Sequence, residues 1–500
     1  MSTFVRHPRP VQDTAPARIQ VTTATEAVDV PDTLALYLEL TRLFGDDQVY
    51  LLESPSGPER DCRLAAVGFG ELLSVSITAG LVEVTGVQPL RQAVVDRIRH
   101  LLVETEGGLR LATNRDLWGL LKELTALFDA QGSDSEFRFG FLTFLGYDTA
   151  RYIEDLPRLI DGEADTPDVT LVLHQGMVRV DLAAHHAELL VHRSRHWPAP
   201  RLQEVRAALA RSAPDARRIE GAEPGELFTV SDETDSGRYA GQVAGCLEHI
   251  ARGDIYQVQI GHELEIGSSL APVDAYHRLH RRNPSPYMYL APLAGATVVG
   301  ASPELLVRVE GGQITMRPIA GTVARNGDDE ATAERLRGDP KEIAEHVMLV
   351  DLCRNDIGRV CAADTLAVPE MLVVEQFSHV QHLVSTVVGT AAGGVDAFDV
   401  IRAVFPAGTM TGAPKIRAME IIEATETSRR GLYAGALGLV DVGGYANLAL
   451  CIRTLIHRDG VYRTRSSAGV VADSTAEREW RETVAKSAAA LWAVTGRERT

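Results

Sequence analysis

The stretch that most restricts how this 500-residue chain can fold is VTLVLHQGMVRVDLAAHHAELLVHR, residues 169–193. Apolar residues alternate with polar ones on both sides of a small, polar break. A period of two suits extended chain with one face buried, so the segment predicts a β-meander. VYLLES (49–54) and LLSVSITAGLVEVTG (72–86) also read as strands. FGFLTFLGYDTARYIE (139–154) reads as a strand that enters a glycine turn and then a helix. Helical apolar spacing appears between them, in DTLALYLELTRLF (32–44, with Asp32 as N-cap) and LWGLLKELTALFDA (117–130). Strands and helices mix in both halves, which favours an α+β fold.

At about 150 residues per domain, the length allows two or three domains or one interwoven unit. Residues 1–18 are Pro/Arg-rich and read as a flexible arm, and 19–195 carry the meander. Residues 196–236 are rich in Pro, Arg, Asp and Glu, and read as a linker that opens with a solvent helix over 201–212. Residues 237–500 are dense in strands and helices punctuated by Gly and Pro. A net charge of −18 argues against a general binder of nucleic acid or anionic membrane. The five cysteines are odd in number and lack CxxC spacing, so a reduced cytoplasmic setting is expected, with no disulfide framework and no zinc site. The N-terminus has no apolar signal core, and the longest uncharged stretch, 283–303, is broken by prolines and glycines and cannot span a membrane.

Several patterns carry chemistry. DPKEIAEHVMLVDL (339–352) reads as a helix with Glu342 and Glu345 on one face. AEREWRETVAKSAAALWAV (476–494) reads as a second helix, with Glu479, Glu482 and Lys486 on one face. Like charges at that spacing repel, which suits either a solvated face or convergence on a hard cation such as Mg²⁺. FPAGTMTGAPKIRAMEII (405–422) is a Gly/Thr turn leading into a helix near Pro414, which suits either a simple cap or an anion site. FSHVQHLVSTVVG (377–389) reads as a strand on which His379 and His382 have opposite parity, so only one faces a given pocket. Such a histidine is either structural or catalytic.

Taken in order, these blocks resemble the chorismate-utilising enzymes. Within them they resemble the large subunits of anthranilate synthase and the aminodeoxyisochorismate synthases. The matching strings include GDIYQV (253–258), NPSPYMY (283–289), GASPELLV (300–307), RPIAGT (317–322), SHVQHLVSTVVG (378–389), LYAGALG (432–438), CIRTL (451–455) and AGVVADSTAEREWRETVAK (468–486), together with the helix and turn segments above. They cover nearly all of 237–490. The resemblance implies two large packed antiparallel β-sheets flanked by helices. It implies Mg²⁺ held by Glu345 and Glu482, supported by Glu342 and Glu479. Glu304 would be the general acid that protonates the departing 4-hydroxyl of chorismate, and His382 would serve a later elimination of pyruvate. Tyr433 and Arg453 would hold the enolpyruvyl carboxylate. Lys486, Thr409 and the Ala468–Gly469 backbone would serve the substrate carboxylates.

Lysine sharpens the reaction. Only four of the 50 basic residues are lysine: Lys122, Lys341, Lys415 and Lys486. Family members that attack with water resemble one another in a lysine base where this chain has Gln257. Members that aminate at C4 carry a lysine where this chain has Ala320. The resemblance therefore implies C2 amination by ammonia, giving 2-amino-2-deoxyisochorismate and then anthranilate plus pyruvate. The alternative stops at, and releases, 2-amino-2-deoxyisochorismate. Isochorismate synthesis and a non-catalytic regulatory subunit are disfavoured, the latter because the acidic set, Glu304 and Lys486 are intact. Ammonia would come from a separate glutamine amidotransferase subunit, and homo- or hetero-oligomers are compatible with the chain. One departure stands out: the family's Gly-Ala-Gly is Ser467-Ala468-Gly469 here, placing a side chain where backbone usually meets substrate.

Overall fold

The structure is a computed structural model, which describes residues 18–162, 166–213, 227–324, 329–377 and 380–498. The arm up to residue 17, His379 and the Lys341 side chain lie outside the described residues.

The meander forms as its alternation requires. Val169–Asp181 pairs antiparallel with His186–Arg193 along its second half and with Leu64–Thr78 along its whole length. A register shift between Leu173 and His174 interrupts the second ladder. Leu64–Thr78 is longer than the 72–86 pattern suggested, and it turns at Ala79–Gly80 into Leu81–Gly86. The helix Thr33–Phe44 begins where Asp32 accepts from the Ala35 N–H at 2.8 Å.

Strands from before 196 and after 237 share one hydrogen-bonded network. Val49–Glu53 pairs with Tyr287–Leu293, and Gly140–Leu145 pairs with Ala436–Asp441. Every strand pairing in this network is antiparallel. A short parallel pair, Ile19–Gln20 with Phe128–Asp129, stands apart. The architecture is thus the expected α+β one, with a large antiparallel sheet system flanked by helices.

Within 196–236, Leu202–Arg211 is helical but does not simply face solvent as expected. It buries Val205 and Ala208 in the same apolar cluster as Leu36 and Leu40, and Arg201 donates to the Leu43 carbonyl. The three-residue spacing of those small apolar side chains gives the helix one buried stripe. Thr229–Asp232 adds a strand against Leu264–Gly267. All five cysteines are free, and no helix among the described residues is long and apolar enough to cross a membrane.

Candidate active site

A strand end, a one-turn helix and the Leu450 backbone meet at Glu304. The strand Ala296–Ser302 ends at Pro303, whose ring nitrogen cannot extend the ladder, and Glu304 follows. Its backbone is anchored by the Leu450 N–H, which donates to the Glu304 carbonyl at 3.0 Å. A one-turn helix, Gly408–Thr411, supplies Thr409, whose hydroxyl donates to Glu304 Oε1 at 2.9 Å. The Gly/Thr turn therefore delivers a side-chain hydroxyl. The longer helix begins only at Lys415, after Pro414.

Burial pushes the Glu304 carboxyl up to about 7, against the Thr409 hydrogen bond and the nearby charges of Lys486 and Arg453, which pull it down. A carboxyl poised near neutrality is suited to giving a proton to a leaving group. Arg453 sits in the turn between Ala446–Leu450 and Thr454–Arg458 at φ 50, a left-handed conformation that side chains other than glycine adopt at a cost. Burial lowers its pKa while Glu304 raises it, and among the described residues its guanidinium has no hydrogen bond or ion pair. Such a fork is available to an anionic ligand.

Strand Val461–Val470 runs antiparallel to Gln257–Gly267, with Gln259 opposite Gly469 and Gly261 opposite Ser467. Gly469 leaves room for two amides: a Cβ would stand 2.7 Å from Gln257 Nε2 and 2.9 Å from Gln259 Nε2. Ala468 between them is fully buried. Gln257 is also buried, and its Oε1 has no hydrogen-bond partner among the described residues. Tyr433 donates its hydroxyl to Ser467 Oγ at 2.7 Å, and Ser467 Oγ donates to Gln259 Oε1 at 3.0 Å. Burial pushes the Tyr433 phenol up to about 12, so it keeps its proton at neutral pH.

Lys486, on the helix Ala476–Thr495, donates to the Ser467 carbonyl at 2.9 Å and pairs with Glu482 at 2.7 Å. Glu479, one turn earlier, is buried. On the helix Pro340–Gly358, Glu342 lies 4.0 Å from Arg478 of the other acidic helix, so the two carboxylate-bearing helices approach each other. Glu345 lies on the same helix, half-buried. Among the described residues, no three His, Cys, Asp or Glu side chains stand together as a finished metal site. The donor set is nonetheless all carboxylate, the chemistry that suits Mg²⁺ rather than a softer metal.

His382 lies on the strand Val380–Thr390, opposite Glu375, and shares a hydrogen bond with the Gly321 carbonyl at 3.1 Å. A carbonyl only accepts, so Nδ1 carries the proton and Nε2 the lone pair. Burial, then Arg453, lower its pKa to about 4, which keeps the ring neutral. Ala320 precedes Gly321 at a register shift in the paired strand, beside the histidine rather than at the strand end that carries Gln257.

Two participants were not singled out from the sequence. Gln259 shares parity with Gln257, and that period of two was the available signal. Arg430 lies wholly inside, donating to the Met410 and Gln259 carbonyls at 2.8 Å each and to Glu426. Burial opposes ionisation of Glu426, but Arg430 and Arg465 hold its carboxyl below the usual range. This ionic group fixes the Thr409 turn against the Gln259 strand.

Residues 84–491 match the family described as chorismate binding enzyme. The chain is 58% identical to the 2-amino-4-deoxychorismate synthase of Streptomyces globisporus, over 97% of this chain and 98% of that protein. It is 42% identical to anthranilate synthase component 1 of Streptomyces coelicolor, over 72% of this chain and 73% of that protein. Among solved structures, anthranilate synthase component I from Streptococcus pneumoniae superposes with a TM-score of 0.71 at 29% identity, covering 86% of this chain and 92% of that one.

Proposed function

Because the chain belongs to the chorismate binding enzyme family, we propose that it aminates chorismate at C2 and releases 2-amino-2-deoxyisochorismate. Named on the chorismate skeleton, the same compound is 2-amino-4-deoxychorismate, with an amine at C2 and no hydroxyl at C4. The Streptomyces globisporus relative, 58% identical over 97% of this chain, bears that name. This moves the reading from anthranilate plus pyruvate, first expected from the sequence, to its alternative.

The observation that carries the amination is the pairing of a poised acid with an open acceptor: Glu304, raised to about 7, and the buried Gln257 Oε1 with no hydrogen-bond partner among the described residues. An amide oxygen accepts from an N–H of ammonia and, unlike a lysine base, does not ionise water. In the proposed step ammonia forms the C2–N bond, the two ring double bonds shift, and the C4–O bond breaks. Glu304 gives its proton to the departing hydroxyl, which leaves as water. One proton lost from the new C2 ammonium balances that transfer. Arg453 orients the enolpyruvyl carboxylate.

Glu345 and Glu482, backed by Glu342 and Glu479, would hold Mg²⁺, which when bound supplies Lewis-acid polarisation at the ring carboxylate. Glu482 holds Lys486 in the structure, so that ammonium would pass to a substrate carboxylate once Glu482 is otherwise engaged. A separate glutamine amidotransferase would supply the ammonia.

The test is incubation with chorismate, Mg²⁺ and ammonium. Chorismate loss with neither anthranilate fluorescence nor pyruvate supports the reading. Stoichiometric anthranilate and pyruvate would restore the earlier one, and unchanged chorismate would sink both.

A further inference from the structure

We infer that Ser467 is a positioning residue that sets the fate of the aminated product: it accepts the hydrogen bond of the Tyr433 hydroxyl and so keeps pyruvate from being expelled. The inference rests on the reading above, that the chain aminates chorismate and releases the product.

The direction of the hydrogen bonds carries it. Gln259 Oε1 only accepts, so Ser467 must spend its one proton there, at 3.0 Å. Ser467 Oγ then meets Tyr433 as an acceptor, and the Tyr433 proton is consumed at 2.7 Å. The relay is rigid. Ser467, Gln259 and Tyr433 are all buried. The Gln259 carbonyl is held by Arg430, the Ser467 carbonyl by Lys486, and the Tyr433 N–H donates to the Arg430 carbonyl at 2.9 Å. The Arg430 guanidinium also lies 5.8 Å from the centre of the Tyr433 ring. The phenol therefore has little freedom to swing away, and it presents only lone pairs to a neighbouring anion.

Pyruvate elimination would need the opposite. A base takes the C2 proton, the C–H electron pair becomes a ring double bond to C3, and the C3–O bond breaks with its pair on the enolpyruvyl oxygen. That oxygen, or the carboxylate beside it, gains negative charge as the bond breaks. A phenol proton aimed there would stabilise the departing group, as donors do for any developing oxyanion. His382 is present and neutral, with its lone pair on Nε2, so the base does not account for a stop at the aminated compound. The missing element is the donor, and Ser467 is what removes it. With glycine at 467 the Tyr433 hydroxyl has no serine to bond and is available to substrate.

The test uses the full chain with chorismate, Mg²⁺ and ammonium, reading chorismate consumption and anthranilate plus pyruvate separately. S467G should raise the fraction of turnovers that end in anthranilate by roughly tenfold or more, the worth of one hydrogen bond to a charged group. S467A, which keeps the Cβ and its packing, should shift the ratio in the same direction and guards against a folding defect in the glycine variant. The double variant S467G/Y433F should lose the gained anthranilate, because the phenol proton is the proposed cause. If S467G and S467A consume chorismate with the wild-type product ratio, or if S467G/Y433F keeps the gain, the inference is overturned. If the wild-type protein itself makes anthranilate, the reading beneath it fails instead, and the two failures are told apart by that one control.

Discussion

Replacing Glu304 by glutamine should make the protein more stable at alkaline pH while abolishing turnover. The reasoning starts from burial, which lifts this carboxyl from its ordinary 4.5 to about 7. The folded state thus binds a proton that the unfolded state has already released. Stability from this group is intact below pH 4.5 and is lost as pH rises towards 7. At 1.36 kcal/mol per pH unit, the loss at pH 8 is about 3 kcal/mol, and at pH 5 it is below about 1 kcal/mol. Glutamine has the shape of the carboxylic acid, still accepts from Thr409, and never ionises. Denaturant unfolding at pH 8 and pH 5 measures the difference. E304Q should gain about 2–3 kcal/mol over wild type at pH 8 and far less at pH 5. An equal effect at both pH values, or a loss at pH 8, would refute the assignment of Glu304 as a strained, buried acid. Retained turnover would refute its catalytic role.

Three further outcomes follow from the same geometry. T409V removes the hydroxyl that favours the ionised form of Glu304. A hydrogen bond to a charged group is worth about 1.5–3 kcal/mol, so the alkaline limb of the pH–rate profile should move up by roughly one pH unit or more from about 7; an unmoved limb would separate Thr409 from the acid. G469A places a methyl 2.7 Å from Gln257 Nε2, the end of a flexible side chain, so the protein should fold at a cost of about 1–3 kcal/mol while ammonia-dependent turnover drops roughly tenfold. Wild-type amination by this variant would count against Gln257. E426A strands Arg430, whose side chain is 1% exposed, without a carboxylate and leaves Arg465 with Glu233 alone, and should lower unfolding free energy by about 3–5 kcal/mol; a loss below about 1 kcal/mol would show that the ionic group does not brace the site.

Much of the fold was legible because it is written in periods. The alternation over 169–193 and the 3.6-residue spacing of 32–44 are local, and the structure follows both. The helix Leu202–Arg211 is largely exposed, as its charged residues imply, but the burial of Val205 and Ala208 depends on a distant partner helix and has no local mark. The site was legible in another way. Spacing paired Glu342 with Glu345 and Glu479 with Glu482, but left open whether they face solvent. Only resemblance pointed to Glu304, since one glutamate after a strand has no local mark. The strained φ at Arg453 and the Ser467–Gln259 relay arise from strand register and turn geometry. No window of sequence contains them.

The pairing of early with late strands has a consequence for synthesis. Val49–Glu53 and Gly140–Leu145 each pair on one edge with a strand close by in the chain, but the second edge of the first is covered only once residue 287 has been made, and that of the second waits for 436–441. Until then the nascent first half carries bare strand edges, the kind of surface on which chains join one another. The late strands also frame the site: Thr454–Arg458 follows directly on Arg453, and Val461–Val470 carries Ser467. The site is therefore incomplete until Lys486 has been made, and a chain interrupted before that exposes strand edges on which it can aggregate.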